Sequence, residues 1–347
     1  MRKFDLIIAI VLQIELVACF IEPITFTLGA SSVIGYYAYQ YYIKCNTNEC
    51  CTDNWIPVNT EDLGRNFRKH LHGQQVAATT VLRALIGYKN TKEPPKALVM
   101  SFHGLPGSGK NYVTNMIAAS FFKEGPNSKY YHFFNGRSYA PVEARIEAYK
   151  SELRDTIVKS LLACERSMFV FDEVDMMPMG LLNVLVPFMD YTKRTGVSYE
   201  GKHVYVTTNK AIFIFLSNTG SEQILKQMLK FWEAGKDRNT MKLADFENLI
   251  AIGAFNEKGG FQKSDTIRTN LIDYYVPFMP MEETHVRLCM RDAFALRTSP
   301  TREMEEEVFS ALTWGPEPHN IYAKSGCKKI EQKVISIVYR NQHDKWL

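Results

Sequence analysis

Residues Leu98–Asn111 read LVMSFHGLPGSGKN, and this stretch decides the fold. Its apolar first part, Leu98 to Phe102, predicts a buried strand, and the apolar spacing after the glycines predicts a helix. The turn between them fits the pattern G-x-x-x-x-G-K through Gly104, Gly109 and Lys110. Such a turn wraps backbone N–H groups around nucleotide phosphates, and the helix N-terminus adds a favourable dipole. We therefore predict a phosphate-binding loop.

One position departs from this pattern. Ser or Thr normally follows the lysine to hold Mg²⁺, and here the residue is Asn111. A chance match of a Gly/Pro turn is the alternative, and the order of strand, loop and helix disfavours it. The predicted nucleotide-binding residues are Gly104, Leu105, Pro106, Gly107, Ser108, Gly109, Lys110, Asn111 and Tyr112.

A second apolar strand ends in carboxylates within Ser167–Asp175, SMFVFDEVD. Asp172 is predicted to orient the water shell of Mg²⁺, with Asn111 beside the metal, and Glu173 to polarise the attacking water. The next strand, Ala211 to Leu216, is followed closely by Asn218, whose amide could bond the attacking water or the γ-phosphate. A solvated acidic turn is the alternative, and the upstream phosphate loop disfavours it.

Length and composition set the outer limits. The chain has 347 residues, enough for one large α/β domain and a small one. Its hydrophobic content of 46% and charged content of 22% are typical of a globular protein. A net charge of +4, without a basic stripe, argues against a nucleic-acid partner.

The N-terminus predicts a signal peptide over residues 1–20. A basic start, Met1-Arg2-Lys3, precedes an apolar stretch from Leu6 to Phe20, and an uncleaved membrane anchor is the alternative. A second apolar segment, Pro23 to Ile43, has the length of a bilayer span but contains proline, glycines and many tyrosines. We therefore expect residues 21–51 to associate with the membrane by lying in one leaflet rather than spanning it.

The cysteines indicate an oxidising compartment. The chain has seven, and removal of Cys19 with the signal peptide leaves six. Three of these cluster beside the membrane segment, namely Cys45, Cys50 and Cys51. Cys164 is predicted to be a buried thiol, and Cys289 and Cys327 remain as a candidate pair. No N-x-[ST] sequon is present, so glycosylation gives no support for a lumenal location.

The remaining patterns predict an α/β fold in which helices flank a parallel sheet and a small C-terminal helical lid follows. We place the large subdomain at residues 52–273 and the lid at residues 274–347. The predicted elements are helices at Leu63–Leu71, Val76–Ile86, 142–164, Leu181–Tyr191, Met281–Leu296 and Arg302–Leu312, a strand at Tyr130–Phe134, and a hairpin-like insertion at Val197–Lys210.

Several motifs together resemble the torsins, which are AAA+ ATPases of the endoplasmic reticulum lumen and nuclear envelope related to the Clp unfoldases. The asparagine after the lysine is characteristic of that family. The resemblance covers nearly the whole chain, from IEPITFTLG after the signal peptide to the C-terminal tail. The motifs are GLPGSGKN from Gly104, FVFDEVDMMP from Phe169, FIFLSNTGS from Phe213, NLIDYYVPFMP from Asn270 and SGCKKI from Ser325.

The resemblance assigns roles to individual residues. It implies that Asp172 and Glu173 form the Walker B pair, Asn218 is sensor 1 and Lys328 is sensor 2. It also implies a redox-sensitive disulfide between Cys289 and Cys327. The implied cofactors are ATP and Mg²⁺. The insertion near residues 200–209, the missing sequons and the tail after residue 333 depart from the family.

An expected arginine is missing. Clp-type ATPases place an arginine finger in a segment resembling N-R-x-D, and here that segment begins Asn270-Leu271. Such fingers change the rate of phosphoryl transfer by orders of magnitude. We therefore expect weak hydrolysis by the chain alone, with Arg268 as the nearby alternative. In torsins, membrane-anchored activators with AAA-like lumenal domains supply the arginine. The region that matches the pore loop of unfoldases is residues 135–140, and Tyr139 is its only candidate for a substrate-contacting residue.

The sequence thus predicts a peripheral membrane protein of the endoplasmic reticulum lumen and perinuclear space. It would hydrolyse ATP, form homo- or hetero-oligomers, and remodel protein or membrane assemblies. The main alternative is a nucleotide-gated binding module with little turnover. A small-molecule kinase is a third option, and the acidic strand, Asn218 and Lys328 speak against it.

Overall fold

The computed structural model describes residues 43–343, with side chains through Arg340. The chain divides into one unit that ends at Cys50 and another that begins at Cys51, and each is described by itself. The predicted signal peptide and nearly all of the apolar segment before Ile43 lie outside the described residues. Within the described part, no helix is both long and apolar enough to cross a membrane.

The second unit alternates helices with strands. Its helices are α1 (Thr60–His70), α2 (Gln75–Asn90), α3 (Lys110–Phe121), α4 (Ile146–Ala163), α5 (Val186–Met189), α6 (Ser221–Glu233), α7 (Glu247–Asn256), α8 (Asp265–Arg268), α9 (Glu283–Ala295), α10 (Arg302–Ser310) and α11 (Ile330–His343). Its strands are β1 (Leu98–Gly104), β2 (Tyr131–Asn135), β3 (Met168–Asp172), β4 (Arg194–Tyr199), β5 (Lys202–Thr207), β6 (Ile212–Ser217), β7 (Tyr274–Phe278), β8 (Trp314–Gly315) and β9 (Tyr322–Ala323).

Five strands of the described chain form a parallel sheet in the order β2-β3-β6-β1-β7. Because β1, β3 and β6 are central and covered on both faces, their sequences are nearly continuous apolar runs rather than alternating ones. The register aligns aromatic rings across neighbouring strands. Phe169 stacks on Phe213 at a centroid distance of 5.1 Å, and Phe171 stacks on Phe215 at 5.1 Å. These rings support the register of β3 against β6, and the parallel pairing of β1, β3 and β6 brings their carboxyl ends to one edge of the sheet.

Helices cover the sheet. The apolar side of α4, which includes Leu153 and Ile157, packs into one core with the stacked phenylalanines. Helix α1 contacts both α2 and α3, α3 contacts β1, and α2 contacts β7. The predicted helix at Leu181–Tyr191 is instead a 3-10 turn at Leu181–Leu185 followed by the short α5. The predicted insertion forms the antiparallel hairpin β4–β5.

The C-terminal helices form a separate core. Helices α9, α10 and α11 bury a common set of side chains, which includes Val286, Met290, Phe294, Val308 and Val334. Tyr274–Phe278, which the sequence analysis placed at the start of the lid, forms the edge strand β7 beside β1. The alternation of aromatic, β-branched and proline residues there suits an edge strand. The helical lid therefore begins after β7, with α9 at Glu283.

The prediction of a buried thiol at Cys164 is wrong. The side chain is buried, but it forms a disulfide with Cys51, and the two Cα atoms lie 5.3 Å apart. The reason is that the segment before α1 lies beside the end of α4, a long-range proximity that has no local signal in sequence. In the first unit, Cys45 pairs with Cys50. The structure also contains the Cys289–Cys327 disulfide.

We predict that the aromatic stack carries much of the stability of the sheet. Phe213 is fully buried, so Phe213→Ala should lower the free energy of unfolding by about 3–5 kcal/mol. Phe133→Ala is the matched control, because Phe133 lies on β2 and is 45% exposed, so its loss should cost less than about 1 kcal/mol. Denaturant unfolding measures both. Equal losses for the two variants would contradict this account.

Candidate functional site

The predicted phosphate loop lies between β1 and α3. Lys110 is the first residue of α3 and is 8% exposed. Its ammonium donates to the carbonyl oxygens of Gly104 at 2.6 Å and Leu105 at 3.2 Å, and to Oδ1 of Asn218 at 3.0 Å. Burial lowers the pKa of Lys110 to about 8, although Asp175 and Asp172 oppose that shift. Residues Pro106 to Tyr112 line a cavity of about 630 Å³, which is large enough for a nucleotide.

The loop also touches the lid. A Cβ atom on Gly107 would lie 1.9 Å from the carbonyl oxygen of Ser325, and Gly107 has a φ of +80°. Both observations require glycine at this position. The backbone N–H of Cys327 donates to the carbonyl oxygen of Gly107 at 3.1 Å. The lid turn that contains the predicted sensor Lys328 is therefore bonded directly to the phosphate loop.

The two acidic residues lie where strand β3 ends, across the cavity from the loop. Asp172 accepts a hydrogen bond from Nδ2 of Asn111 at 2.7 Å, so the predicted metal residues are in contact. Glu173 has a φ of +50°, an uncommon conformation for a residue with a side chain. Its N–H donates to Oδ1 of Asp172 at 2.8 Å. Such local strain, of order 1–3 kcal/mol, is concentrated at functional sites.

A third carboxylate holds Asn218. Asp175 accepts from the backbone N–H of Asn218 at 3.1 Å, from its Nδ2 at 3.2 Å and from the hydroxyl of Ser217 at 3.2 Å. The side-chain amide therefore donates to Asp175 and accepts from Lys110. This line of contacts fixes the orientation of Asn218. Asp175 lies in the predicted acidic stretch, where no role was assigned to it. Its position three residues after Asp172, on the turn that follows β3, was the available signal.

A buried histidine supports the same region. His103 Nδ1 lies 2.9 Å from the carbonyl oxygen of Thr219, which can only accept, so Nδ1 carries the proton. Its Nε2 then accepts from the hydroxyl of Ser101 at 2.6 Å. Burial lowers the pKa of His103 to about 4. The imidazole therefore remains neutral at physiological pH and joins β1 to the segment after β6.

The lid closes the far end of the cavity. Lys328 and the cystine formed by Cys289 and Cys327 line it. On the facing side, His72 lies 2.8 Å from Oδ2 of Asp292 on α9, which links the segment after α1 to the lid. Gln74 is buried and donates to the carbonyl oxygens of Ser108 and Met279 at 3.0 and 2.8 Å. Gln74 therefore supports the backbone of the predicted phosphate loop at Ser108 and does not line the cavity.

Three predicted residues lie away from the cavity. Leu271, at the position of the missing arginine, is 2% exposed and belongs to the core beneath the sheet. Arg268 is exposed and lies 3.7 Å from Asp265. Tyr139 packs edge-on against Tyr149, with centroids 5.3 Å apart, so it is part of the fold rather than a projecting loop residue.

An arginine of the site was also not predicted. Arg137, in the turn after β2, lines the cavity and forms an ion pair with Glu173. Its sequence context, NGRSYA, carries no motif and offered no signal.

The parallel sheet, the phosphate loop, the acidic strand end and the helical lid define a nucleotide-binding protein of the AAA+ class. Solved structures agree on the fold. A chain of the S. cerevisiae Hsp104-ADP complex matches with a TM-score of 0.60 and 15% identity, over 85% of this chain and 49% of that chain. Hsp104 with ATPγS and FITC casein matches with a TM-score of 0.59 and 14% identity, over 83% and 48%. This chain therefore spans about half of each Hsp104 chain.

Sequence comparison gives the family. A Torsin profile matches residues 45–171. A torsin-like protein of Drosophila melanogaster is 32% identical over 344 residues, which cover 97% of this chain and 98% of the relative. A torsin-like protein of Caenorhabditis elegans is 33% identical over 313 residues, which cover 89% and 85%. The chain belongs to the torsin family, and the resemblance drawn from its motifs is confirmed.

We predict a pH dependence of stability from His103. Its folded pKa of about 4 lies below the ordinary value of 6.5, so the unfolded chain binds more protons between these values. This contribution to stability is complete above about pH 6.5 and is lost as the pH falls toward 4. From pH 7 to pH 5, the wild type should lose about 2 kcal/mol more unfolding free energy than His103→Gln.

Denaturant titrations of both proteins at the two pH values measure this difference. Because the other ionisable groups are common to both proteins, equal losses would show that His103 is not the group responsible.

Proposed function

We propose that this protein binds ATP with Mg²⁺ in the cavity between the phosphate loop and the lid, and hydrolyses it weakly without a partner. The observation that carries this proposal is the set of contacts Lys110–Asn218–Asp175 beside Asp172 and Glu173. In this arrangement the buried Lys110 ammonium lies beside the Asn218 amide, which Asp175 holds in place. Two more carboxylates, Asp172 and Glu173, line the same cavity. Such a set of groups suits a triphosphate and a divalent cation.

The residues present fit Mg²⁺. Mg²⁺ usually takes one or two protein oxygen ligands and completes its shell with phosphates and water, and Asp172 and Asn111 offer such oxygens at the cavity wall. The described residues contain no group of three or more His, Cys, Asp or Glu side chains able to hold a metal by themselves. When bound, the ion would neutralise charge on the phosphates.

Each side chain then has a distinct role. Lys110 and the loop N–H groups bind the β- and γ-phosphates, while Glu173 acts as the base toward the attacking water. Asn218 orients that water or the γ-phosphate. Lys328 approaches the γ-phosphate from the lid, and Tyr112 contributes to the cavity wall.

We expect weak hydrolysis by the chain alone because Leu271 occupies the position where an arginine finger is expected. Leu271 is buried, and the segment that holds it is anchored by Lys96, whose ammonium lies 2.8 Å from Asp273. We infer that the arginine comes from a membrane-anchored activator with an AAA-like lumenal domain, as the family resemblance implies. The same resemblance supports homo- or hetero-oligomers.

We place the protein in the endoplasmic reticulum lumen, including the perinuclear space, peripheral to the membrane. The three disulfides among the described residues support an oxidising compartment. Its work there would be the remodelling of protein or membrane assemblies.

A nucleotide-gated binding module is the second candidate. The hydrogen bond from Cys327 to Gly107 favours it, because it couples the loop that senses phosphate to the position of the lid. In that case the ATP state controls partner engagement, and turnover only resets it.

The central prediction concerns binding and turnover of ATP. Purified protein should bind a fluorescent ATP analogue, and Lys110→Ala should weaken binding at least about tenfold because a charge-assisted contact to phosphate is lost. Lys226→Ala, at an exposed position on α6, is the matched control and should leave binding of the analogue unchanged.

Basal ATPase activity should be low and should rise with co-purified lumenal partners. Appreciable basal turnover that Arg268→Ala abolishes would overturn the missing-arginine account.

Glu173→Gln separates the two candidate functions. A remodelling machine loses its cellular function with this variant, because each cycle needs hydrolysis. A gated module becomes a persistent binder that keeps part of its function. Retention of ATP in both cases verifies that the variant is folded.

The lid cystine gives a further prediction. Because Cys289 and Cys327 close the cavity beside Lys328, loss of their bond should loosen the lid and weaken nucleotide affinity at least about fivefold. Affinity is measured with and without reductant, and with Cys289→Ser/Cys327→Ser to exclude effects of the other two disulfides. Unchanged affinity in both measurements would make this cystine purely structural.

A further inference from the structure

Two histidines at the end of α1 meet one carboxylate of the lid. Oδ2 of Asp292, on α9, lies 2.8 Å from Nε2 of His72 and 3.5 Å from Nδ1 of His70. An ionised carboxylate can only accept, so Nε2 of His72 carries a proton in this contact. The side chains are 12% exposed for His72, 34% for His70 and 45% for Asp292. All three residues line the cavity that contains Lys110, and they form its solvent-accessible rim.

The segment that carries His72 is fixed to the large subdomain. Its neighbour Gln74 donates to the carbonyl oxygen of Ser108 in the predicted phosphate loop at 3.0 Å. Gly73 has a φ of +67°, and a Cβ atom there would lie 2.7 Å from the ring of His285, so only glycine fits between the two residues. Any separation at the rim must therefore come from a movement of α9 and not of the histidine segment.

The start of α9 is held close to the same segment by a buried arginine. Arg238 donates to the carbonyl oxygens of Gly73 at 2.6 Å and Pro280 at 2.8 Å, and to Oε1 of Glu282 at 3.0 Å. Asp292 lies more than two turns further along α9, about 14 Å from the start of the helix. The arginine contacts thus fix one end of α9, and the histidine contacts hold the helix at a point well away from that end.

Other charged and titratable groups lie around the rim. They are Tyr112 on α3, Arg238 after α6, Glu282 and His285 at the start of α9, and Lys328, Glu331 and Arg297 beside the lid turn. Burial, with a smaller contribution from Asp292, raises the pKa of Tyr112, so the phenol stays neutral. Burial and the charge of Arg238 lower the pKa of His285 to about 4, so it is also neutral near pH 7. Between pH 8 and pH 6, the rim therefore gains charge through His70 and His72.

We propose that Asp292 is a positioning residue that holds the lid over bound nucleotide, and that proton uptake by His72 and His70 strengthens this hold. A protonated imidazole converts a hydrogen bond to a carboxylate into an ion pair, and such charge-assisted bonds are about twice as strong as neutral ones. Nucleotide is then retained more tightly as the pH falls. This inference rests on the proposed nucleotide binding and concerns the same cavity.

The test measures the affinity of the purified protein for a fluorescent ATP analogue at pH 8 and at pH 6. The ratio of wild-type affinity to that of Asp292→Asn should be about threefold to tenfold larger at pH 6 than at pH 8. The analogue's phosphates and Lys110 titrate in both proteins, so this ratio isolates the rim contact. Asp155→Asn is the matched control, because Asp155 is 46% exposed on α4, and it should match the wild type at both pH values.

His72→Gln provides a second variant that keeps a hydrogen-bond donor but does not titrate. It should lose most of the gain at pH 6 and stay closer to the wild type than Asp292→Asn at pH 8. The gain should appear in the dissociation rate, measured by a chase with unlabelled ATP, because a held lid delays release.

Two results would overturn the inference. A ratio that is the same at both pH values would show that protons do not act through this contact. Wild-type affinity in Asp292→Asn at both pH values would show that Asp292 does not position the lid. Failure of the wild type to bind the analogue at either pH would instead overturn the proposed nucleotide binding, so the two failures are distinguishable.

Discussion

The burial of one ammonium group organises this site. Lys110 is almost completely removed from solvent, and a buried cation is tolerated only where polar groups surround it. Two loop carbonyls and the amide of Asn218 surround it here. The Asn218 contact in turn depends on Asp175, which holds the amide so that its oxygen faces the ammonium. With a pKa of about 8, Lys110 keeps most of its charge at neutral pH and remains able to meet a phosphate.

The features that sequence could predict are those encoded within a few neighbouring residues. The phosphate loop follows from glycine spacing between an apolar strand and a helix, and the acidic site follows from carboxylates that end a strand. Their proximity follows from the parallel arrangement, because strand carboxyl ends meet at one edge. The motif resemblance added Lys328, which no local pattern could have placed at the cavity.

What escaped prediction depends on contacts between distant segments. Arg137 reaches Glu173 because β2 is the neighbour of β3, and a single arginine in a turn carries no pattern of its own. The Cys51–Cys164 bond joins segments on either side of the phosphate loop, and six cysteines allow fifteen pairings. The strand at Tyr274–Phe278 was placed in the lid because its short run of aromatic residues precedes helices, whereas pairing with β1 decides its place.

The lid turn and the predicted phosphate loop are in direct backbone contact at Gly107. Because the Gly107 carbonyl accepts the Cys327 N–H, the lid turn and the loop cannot separate without breaking that hydrogen bond. A Cβ atom on Gly107 would lie 1.9 Å from the carbonyl oxygen of Ser325, so no side chain can separate the two backbones. Opening of the lid would therefore have to break both this hydrogen bond and the His72–Asp292 contact, and under the proposed function the rate of this opening would limit the release of nucleotide.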